Sequence, residues 1–81
     1  MRTREKKQIL LEKFVNHILQ NYLRIFEHTA IDEIENEYDI TIEKEFIKFM
    51  GKEKVSIHVY ESINKSKFIE LALSYVLDFK N

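Results

Sequence analysis

The strongest constraint on the fold is the placement of the only glycine in a chain that has no proline. Gly51 lies in a charged link between two short apolar runs, residues 46–50 and residues 55–60. Two apolar runs that are joined by a short link containing glycine are typical of a β-hairpin. The sequence therefore predicts a small sheet in the second half of the chain.

Residues 54–60 have the clearest strand pattern, because β-branched residues occupy alternate positions. The backbone of such a strand needs a hydrogen-bonding partner, and the nearest apolar segment is residues 45–50. A three-stranded meander results if residues 38–42 also join the sheet. We therefore predict a hairpin with two or three strands.

The first apolar run, residues 46–50, also fits a helix. Apolar residues at positions 42, 46, 49 and 50 are spaced i, i+4, i+7 and i+8, which is a helical period. Gly51 is a suitable residue to end such a helix. We favour the hairpin because it gives residues 54–60 a neighbour, and the helix stays open as the alternative.

Two further segments predict helices. Residues 5–27 place their apolar side chains on one half of the helical wheel, and residues 64–79 are apolar over about two thirds of theirs. Asn64 and Ser66 are both suitable N-caps for the second helix. A helix that is apolar nearly all round is normally buried, and one helix with a small sheet offers too little surface to cover it. We therefore predict a homodimer.

These elements predict a single α+β domain over residues 1–81. It consists of a long N-terminal helix, a β-hairpin and a buried C-terminal helix. The chain has no cysteine, which excludes disulfides and is typical of proteins of the reducing cytoplasm. No apolar run has the roughly 20 residues that a membrane span needs. We expect a cytoplasmic protein that has no membrane partner.

Motifs for chemistry are missing from the sequence. There is no cysteine nucleophile, no Gly-x-Ser-x-Gly segment and no glycine-rich phosphate loop. The histidines His17, His28 and His58 are too scattered to form a local ligand pair. We therefore predict no catalytic, cofactor-binding or metal-binding residue, no cofactor, and a protein that is not an enzyme.

The composition favours a small regulatory or accessory protein that binds another macromolecule, a protein rather than a nucleic acid. Short lysine- and isoleucine-rich chains of this kind are common among mobile-element products, which suggests such an origin. The second face of the hairpin mixes aromatic, methionine and polar residues, as interfaces often do, and the acidic segment beside it offers a docking surface for a basic partner. The predicted partner-binding residues are Phe46, Lys48, Met50, His58, Tyr60, Glu33, Glu35 and Glu37.

The alternative function is a small DNA-binding transcriptional regulator. Charge is segregated along the chain, although the net charge is only −1. The first 26 residues carry six basic and two acidic side chains, whereas residues 27–45 carry eight acidic residues and one lysine. In this alternative the basic end of the first helix contacts phosphates, through Arg2, Arg4, Lys6 and Lys7.

Overall fold

The computed structural model describes residues 2–25 and 41–80, and within these ranges the chain forms five helices and no strand. They are α1 (Thr3–Gln20), α2 (Tyr22–Ile25), α3 (Glu43–Glu53), α4 (Ile57–Ser62) and α5 (Lys65–Lys80). The predicted α+β fold and its β-hairpin are therefore wrong. Residues 38–40 of the optional third strand lie outside the described ranges.

The first helix confirms the N-terminal part of the predicted helix over residues 5–27, but it ends at Gln20. The Asn21 side chain donates a hydrogen bond from Nδ2 to the His17 carbonyl oxygen at 2.8 Å. Because a short polar side chain competes in this way for helical backbone groups, asparagine favours helix ends over helix interiors. Asn21 is the C-cap of α1, and the single turn of α2 follows it directly, while residues 26 and 27 are not described.

The third helix corresponds to the helical alternative for residues 42–50. Its apolar positions 42, 46, 49 and 50 form one stripe, and all four side chains are buried. Glu43 and Glu45 lie in the first turn and Lys52 in the last, which suits the helix dipole. The strand prediction failed because these side chains bury on one helical face, which an alternating strand would split between two faces.

Gly51 does not end this helix. The helix continues to Glu53, and Lys54 takes the left-handed backbone conformation that follows it, with φ 51° and ψ 48°. For a residue with a Cβ atom this conformation costs about 1 kcal/mol, whereas glycine adopts it readily. The only glycine of the chain therefore lies in the helix interior, three residues before the position that favours glycine most.

The predicted strand over residues 54–60 is also wrong, since residues 57–60 belong to α4. Ser56 caps this helix, and its Oγ atom accepts a hydrogen bond from the Val59 backbone N–H at 3.4 Å. Of the three alternating β-branched residues only Val59 is buried, whereas Ile57 is largely exposed. With residues 45–50 in a helix, no neighbouring strand exists in the described chain to pair with this segment, and a short capped helix satisfies its backbone instead.

The last helix confirms the prediction over residues 64–79. Asn64 is its N-cap, because Oδ1 accepts a hydrogen bond from the Lys67 backbone N–H at 3.2 Å. One face of α5 packs mainly against α1. The buried residues of that face are Phe68, Ile69, Ala72, Leu73 and Val76.

Four phenylalanines join α1, α3 and α5 at the centre of the core. Phe14 is fully buried, and its ring centroid lies 5.8 Å from Phe46, 5.1 Å from Phe49 and 5.8 Å from Phe68. Edge-to-face and tilted ring pairs at these distances add to the stabilisation that burial provides. None of the helices in the described ranges is long and apolar enough to cross a membrane.

Candidate functional site

A cleft of about 700 Å³ lies where α1, α2 and α3 meet. Its sides come from the end of α1, from α2 and from the outer face of α3, and most of its side chains are polar or charged. The lining residues are His17, Asn21, Arg24, Glu45, Lys48, Phe49, Gly51 and Lys52. We call this region the α1–α3 cleft.

Glu45 is the only charged residue among the buried residues of the described chain, with 6% of its surface exposed. Arg24 donates from Nη1 to Oε1 at 3.0 Å and from Nη2 to Oε2 at 3.5 Å. The guanidinium therefore binds the carboxylate through both of its terminal nitrogens. His17 Nε2 lies 3.0 Å from Oε2. Because a carboxylate only accepts hydrogen bonds, this contact requires the proton of His17 to lie on Nε2.

Burial raises the pKa of a carboxyl group, but at Glu45 two partners outweigh it. Hydrogen bonds from His17 and Arg24, together with their charges, hold the pKa of Glu45 below its ordinary value. The carboxylate is therefore ionised at neutral pH although it is almost fully buried. His17 also connects this polar group to the aromatic core, because its ring lies 5.8 Å from the Phe49 ring.

Two lysines on α3 give the α1–α3 cleft a positive charge. Lys48 and Lys52 are separated by one helical turn and therefore lie on the same face of α3. Both are exposed, and neither has an ion pair with a described residue, whereas Lys13 and Lys65 are paired with acids. Since Arg24 already neutralises Glu45, the described side chains that line the cleft carry an excess of positive charge.

Gly51 lies in the same wall of the α1–α3 cleft as the two lysines. A glycine inside a helix costs about 1 kcal/mol relative to alanine. A Cβ atom at this position would have no neighbouring heavy atom within 4 Å, and the glycine does not have a positive φ angle. Neither packing nor backbone conformation within the described chain therefore requires a glycine here.

A second surface, on α5, is apolar and exposed. Leu71, Tyr75 and Phe79 are spaced four residues apart, and 45%, 48% and 73% of their surfaces are exposed. They form one continuous row along the helix, which we call the α5 ridge. The row borders the buried face of α5, so the apolar arc of this helix is wider than the core that covers it.

The predicted partner-binding residues of the hairpin have separate environments. Phe46 is 1% exposed and Met50 is 5% exposed, so the core contains these two side chains and no partner can reach them. Lys48 lies in the wall of the α1–α3 cleft. His58 and Tyr60 are exposed on α4. A hairpin face that unites these five residues does not exist, and partner binding by the three accessible ones stays a prediction.

The acidic residues Glu33, Glu35 and Glu37, which completed the predicted docking surface, lie outside the described residues. The structure therefore gives no position for them, and their role stays a prediction.

The basic residues of the alternative function lie at the start of α1. Arg2, Arg4 and Lys6 are exposed, whereas Lys7 is half-buried and donates from Nζ to the Ser62 carbonyl oxygen at 3.4 Å. Lys7 therefore links the start of α1 to the end of α4. Contact of these side chains with nucleic acid stays a prediction.

Sequence reasoning missed Glu45, Arg24 and His17 as parts of a site. Glu45 follows an acidic segment and reads as one more surface acid. One signal could have identified it, because position 45 is three residues after Ile42 and four before Phe49, and so lies on the apolar stripe of the helical alternative.

No group of three or more histidine and acidic side chains within residues 2–25 and 41–80 is arranged to hold a metal ion. Comparison of the chain with protein-family models, with curated proteins and with solved structures finds no match.

Proposed function

We propose that the protein is a small non-enzymatic regulatory or accessory protein of the cytoplasm that acts by protein–protein binding as a homodimer. The observation that supports this proposal is the α5 ridge, where three large apolar side chains remain exposed in a row. Contiguous apolar surface on a small protein commonly marks an interaction site.

The geometry of the ridge suits a second copy of the same helix. Side chains spaced four residues apart form the ridges that interlock when two helices pack against each other. If two α5 helices pack antiparallel about a two-fold axis near Tyr75, Leu71 of each copy faces Phe79 of the other. A two-fold interface brings the same patch of both subunits together, and the α5 ridge is self-complementary in this arrangement.

Charge also favours this pairing. Lys67 lies near the start of α5 and Asp78 near its end, and both are exposed beside the ridge. Antiparallel packing moves the start of one helix towards the end of its partner, which brings opposite charges closer. The net charge of −1 adds little general repulsion between two copies.

The size of the ridge determines how strongly we expect two copies to associate. Stable interfaces bury about 800 Å² on each partner, and three partly exposed side chains provide only the centre of such a patch. We therefore expect a dissociation constant in the micromolar range, with Tyr75 and Phe79 as the main anchors because aromatic residues are enriched at binding hot spots.

Sedimentation velocity from micromolar to submillimolar concentration tests the proposal. The wild-type mass should rise above 9.9 kDa as concentration increases. Leu71→Glu and Tyr75→Glu should keep the protein monomeric, because a buried unpaired carboxylate at the ridge opposes association. Glutamate favours helices, and circular dichroism should show that both variants are folded.

Ile47→Glu is the matched control. Ile47 is 56% exposed on α3, so the substitution makes the same chemical change on a different helix and should leave the dimer intact. A wild-type protein that stays monomeric at submillimolar concentration contradicts the proposal. Loss of association in the Ile47 variant, with the ridge variants unaffected, would place the interface elsewhere.

A further inference from the structure

We propose that the α1–α3 cleft binds a small phosphate-bearing molecule, with Lys48 and Lys52 as ligands for phosphate oxygens and the α3 backbone at Gly51 as the surface that the molecule approaches. This inference is independent of the proposed dimer, since no residue of the α5 ridge lines the cleft. Three separate observations lead to it: unpaired charge, a neutralised carboxylate and an unexplained glycine.

The first observation is the pair of ammonium groups. Lys48 and Lys52 both line the cleft and have no ion pair with any described residue. Two like charges one turn apart on a helix repel each other, although Lys52 in the last turn also suits the helix dipole. An anion between them would remove that repulsion and would form charge-assisted hydrogen bonds with both.

The second observation is the way Glu45 is held. A carboxylate in a cleft normally repels an anion, but Arg24 and His17 occupy both of its oxygens. The Arg24 side chain is still 56% exposed, so its remaining N–H groups are accessible from solvent. Glu45 therefore orients a guanidinium at the rim of the cleft, and Arg24 balances its negative charge.

The third observation is Gly51. Glycine is the usual residue where a backbone approaches a ligand closely, and no contact or φ angle within the described chain requires a glycine here. It lies on α3 three residues after Lys48 and directly before Lys52 in the sequence, and it lines the same cleft. A bound molecule resting against the helix at this point would occupy the space that a Cβ atom would otherwise take.

The dimensions and charge favour a small ligand over a nucleic acid. The cleft volume of about 700 Å³ is within the range of small-molecule sites, about 300–1,000 Å³. A nucleic acid needs an extended basic surface, whereas the chain as a whole has a net charge of −1. A phosphate group with two negative charges matches two lysines and one arginine better than a single carboxylate does.

The test is a titration of the wild-type protein followed by amide chemical shifts. The probes are inorganic phosphate, adenosine 5′-monophosphate, adenosine and a short duplex DNA. We expect saturable shifts at Lys48, Gly51 and Lys52 with phosphate and with the monophosphate, and none with adenosine. Tighter binding of the monophosphate than of inorganic phosphate would identify a phosphate ester as the ligand class, and the reverse order would identify the free anion.

Matched variants assign the effect to the cleft. The double variant K48A/K52A should weaken phosphate binding by about tenfold or more. The control K44A/K54A removes the same charge from exposed lysines outside the cleft, and its affinity should stay within about twofold of wild type. Gly51→Ala should raise the melting temperature and still weaken binding, which a purely structural glycine would not do.

Three results would overturn the proposal. One is the absence of saturable shifts at the three α3 amides with either phosphate probe. Another is an equal loss of affinity in K48A/K52A and K44A/K54A, which would show unspecific charge attraction. The third is a response to duplex DNA alone, which would favour the basic start of α1 as a nucleic-acid surface.

Discussion

The α1–α3 cleft and the α5 ridge depart in opposite directions from the usual distribution of polar and apolar side chains. In the cleft a carboxylate is buried, with Glu45 6% exposed. On the ridge large apolar residues are exposed, with Phe79 73% exposed. Buried charges and contiguous exposed apolar side chains are both more informative than average surface residues.

The two regions differ in how these departures are compensated. Glu45 has its partners within the same chain, because Arg24 and His17 hydrogen-bond both carboxylate oxygens. On the α5 ridge, Leu71, Tyr75 and Phe79 stay 45–73% exposed in the single chain, and in the proposed dimer a second copy covers them. The difference predicts that changes at Glu45 alter the stability of one chain, whereas changes on the ridge alter association.

Alanine substitutions in the two regions give the largest expected contrast. Glu45→Ala should lower the free energy of unfolding by about 1–3 kcal/mol, because it leaves His17 and Arg24 without their acceptor. Leu71→Ala, measured in dilute solution where the chain is monomeric, should change it by less than about 0.5 kcal/mol. Urea unfolding followed by circular dichroism measures both.

This contrast fails if Leu71→Ala destabilises the dilute monomer as much as Glu45→Ala does. Leu71 would then belong to the folded core of one chain, and the ridge would lose its role as an interface. Repeating both measurements at high protein concentration separates the effects further, since dimerisation stabilises the wild type by mass action. Leu71→Ala should then lower the free energy of unfolding by more than it does in dilute solution.

The two longest helices show what could be predicted from the sequence. The segments that form α1 and α5 repeat their apolar residues with a helical period over four turns or more. Because many positions follow the same period, the helix can be recognised from the sequence. Asn64 was also predicted correctly as a candidate N-cap. The break at Asn21 was missed, because it depends on one side-chain hydrogen bond to the His17 carbonyl oxygen.

The middle of the chain could not be assigned in the same way. Three β-branched residues at alternate positions predict a strand, but they span only five residues, and a strand forms only if a second strand is available. Once residues 43–53 form α3, that second strand is lost and Ser56 caps a short helix instead. Tertiary packing of Phe46 and Phe49 against Phe14 therefore decided the structure of both segments.

The candidate sites were less predictable than the helices. Lys48 was chosen for a sheet surface that does not exist and lies instead beside Gly51 in the α1–α3 cleft. For α5 the sequence predicted an apolar arc that is too wide for one chain to cover, but it did not predict which residues form the exposed ridge. Which residues of that arc stay exposed depends on where α1 packs, and a single sequence does not contain this information.

Acidification should also distinguish the two regions. Because the folded-state pKa of Glu45 is lowered, its contribution to stability is fully present above the ordinary pKa of about 4.3. This contribution is lost as the pH falls through the lower pKa of the folded state. The free energy of unfolding of wild type should therefore decrease more between neutral pH and about pH 3 than that of Glu45→Gln.

Leu71→Ala provides the control for this pH dependence, because the substitution changes no titrating group. Its unfolding free energy in dilute solution should follow the wild-type curve. Identical curves for wild type and Glu45→Gln would contradict the assignment of a lowered pKa to this carboxyl.

The smallest expected effect concerns an ion pair that lies outside both regions. Lys13 Nζ is 3.3 Å from Glu53 Oε2, but the two side chains are 55% and 31% exposed. Solvent screens such a pair, and a double-mutant cycle with alanine at both positions should give a coupling energy of only about 0.2–1 kcal/mol. The same cycle on Arg24 and Glu45 should give a larger value, since that carboxylate is buried and held by both guanidinium nitrogens. Equal couplings would mean that burial adds nothing to the Arg24–Glu45 pair.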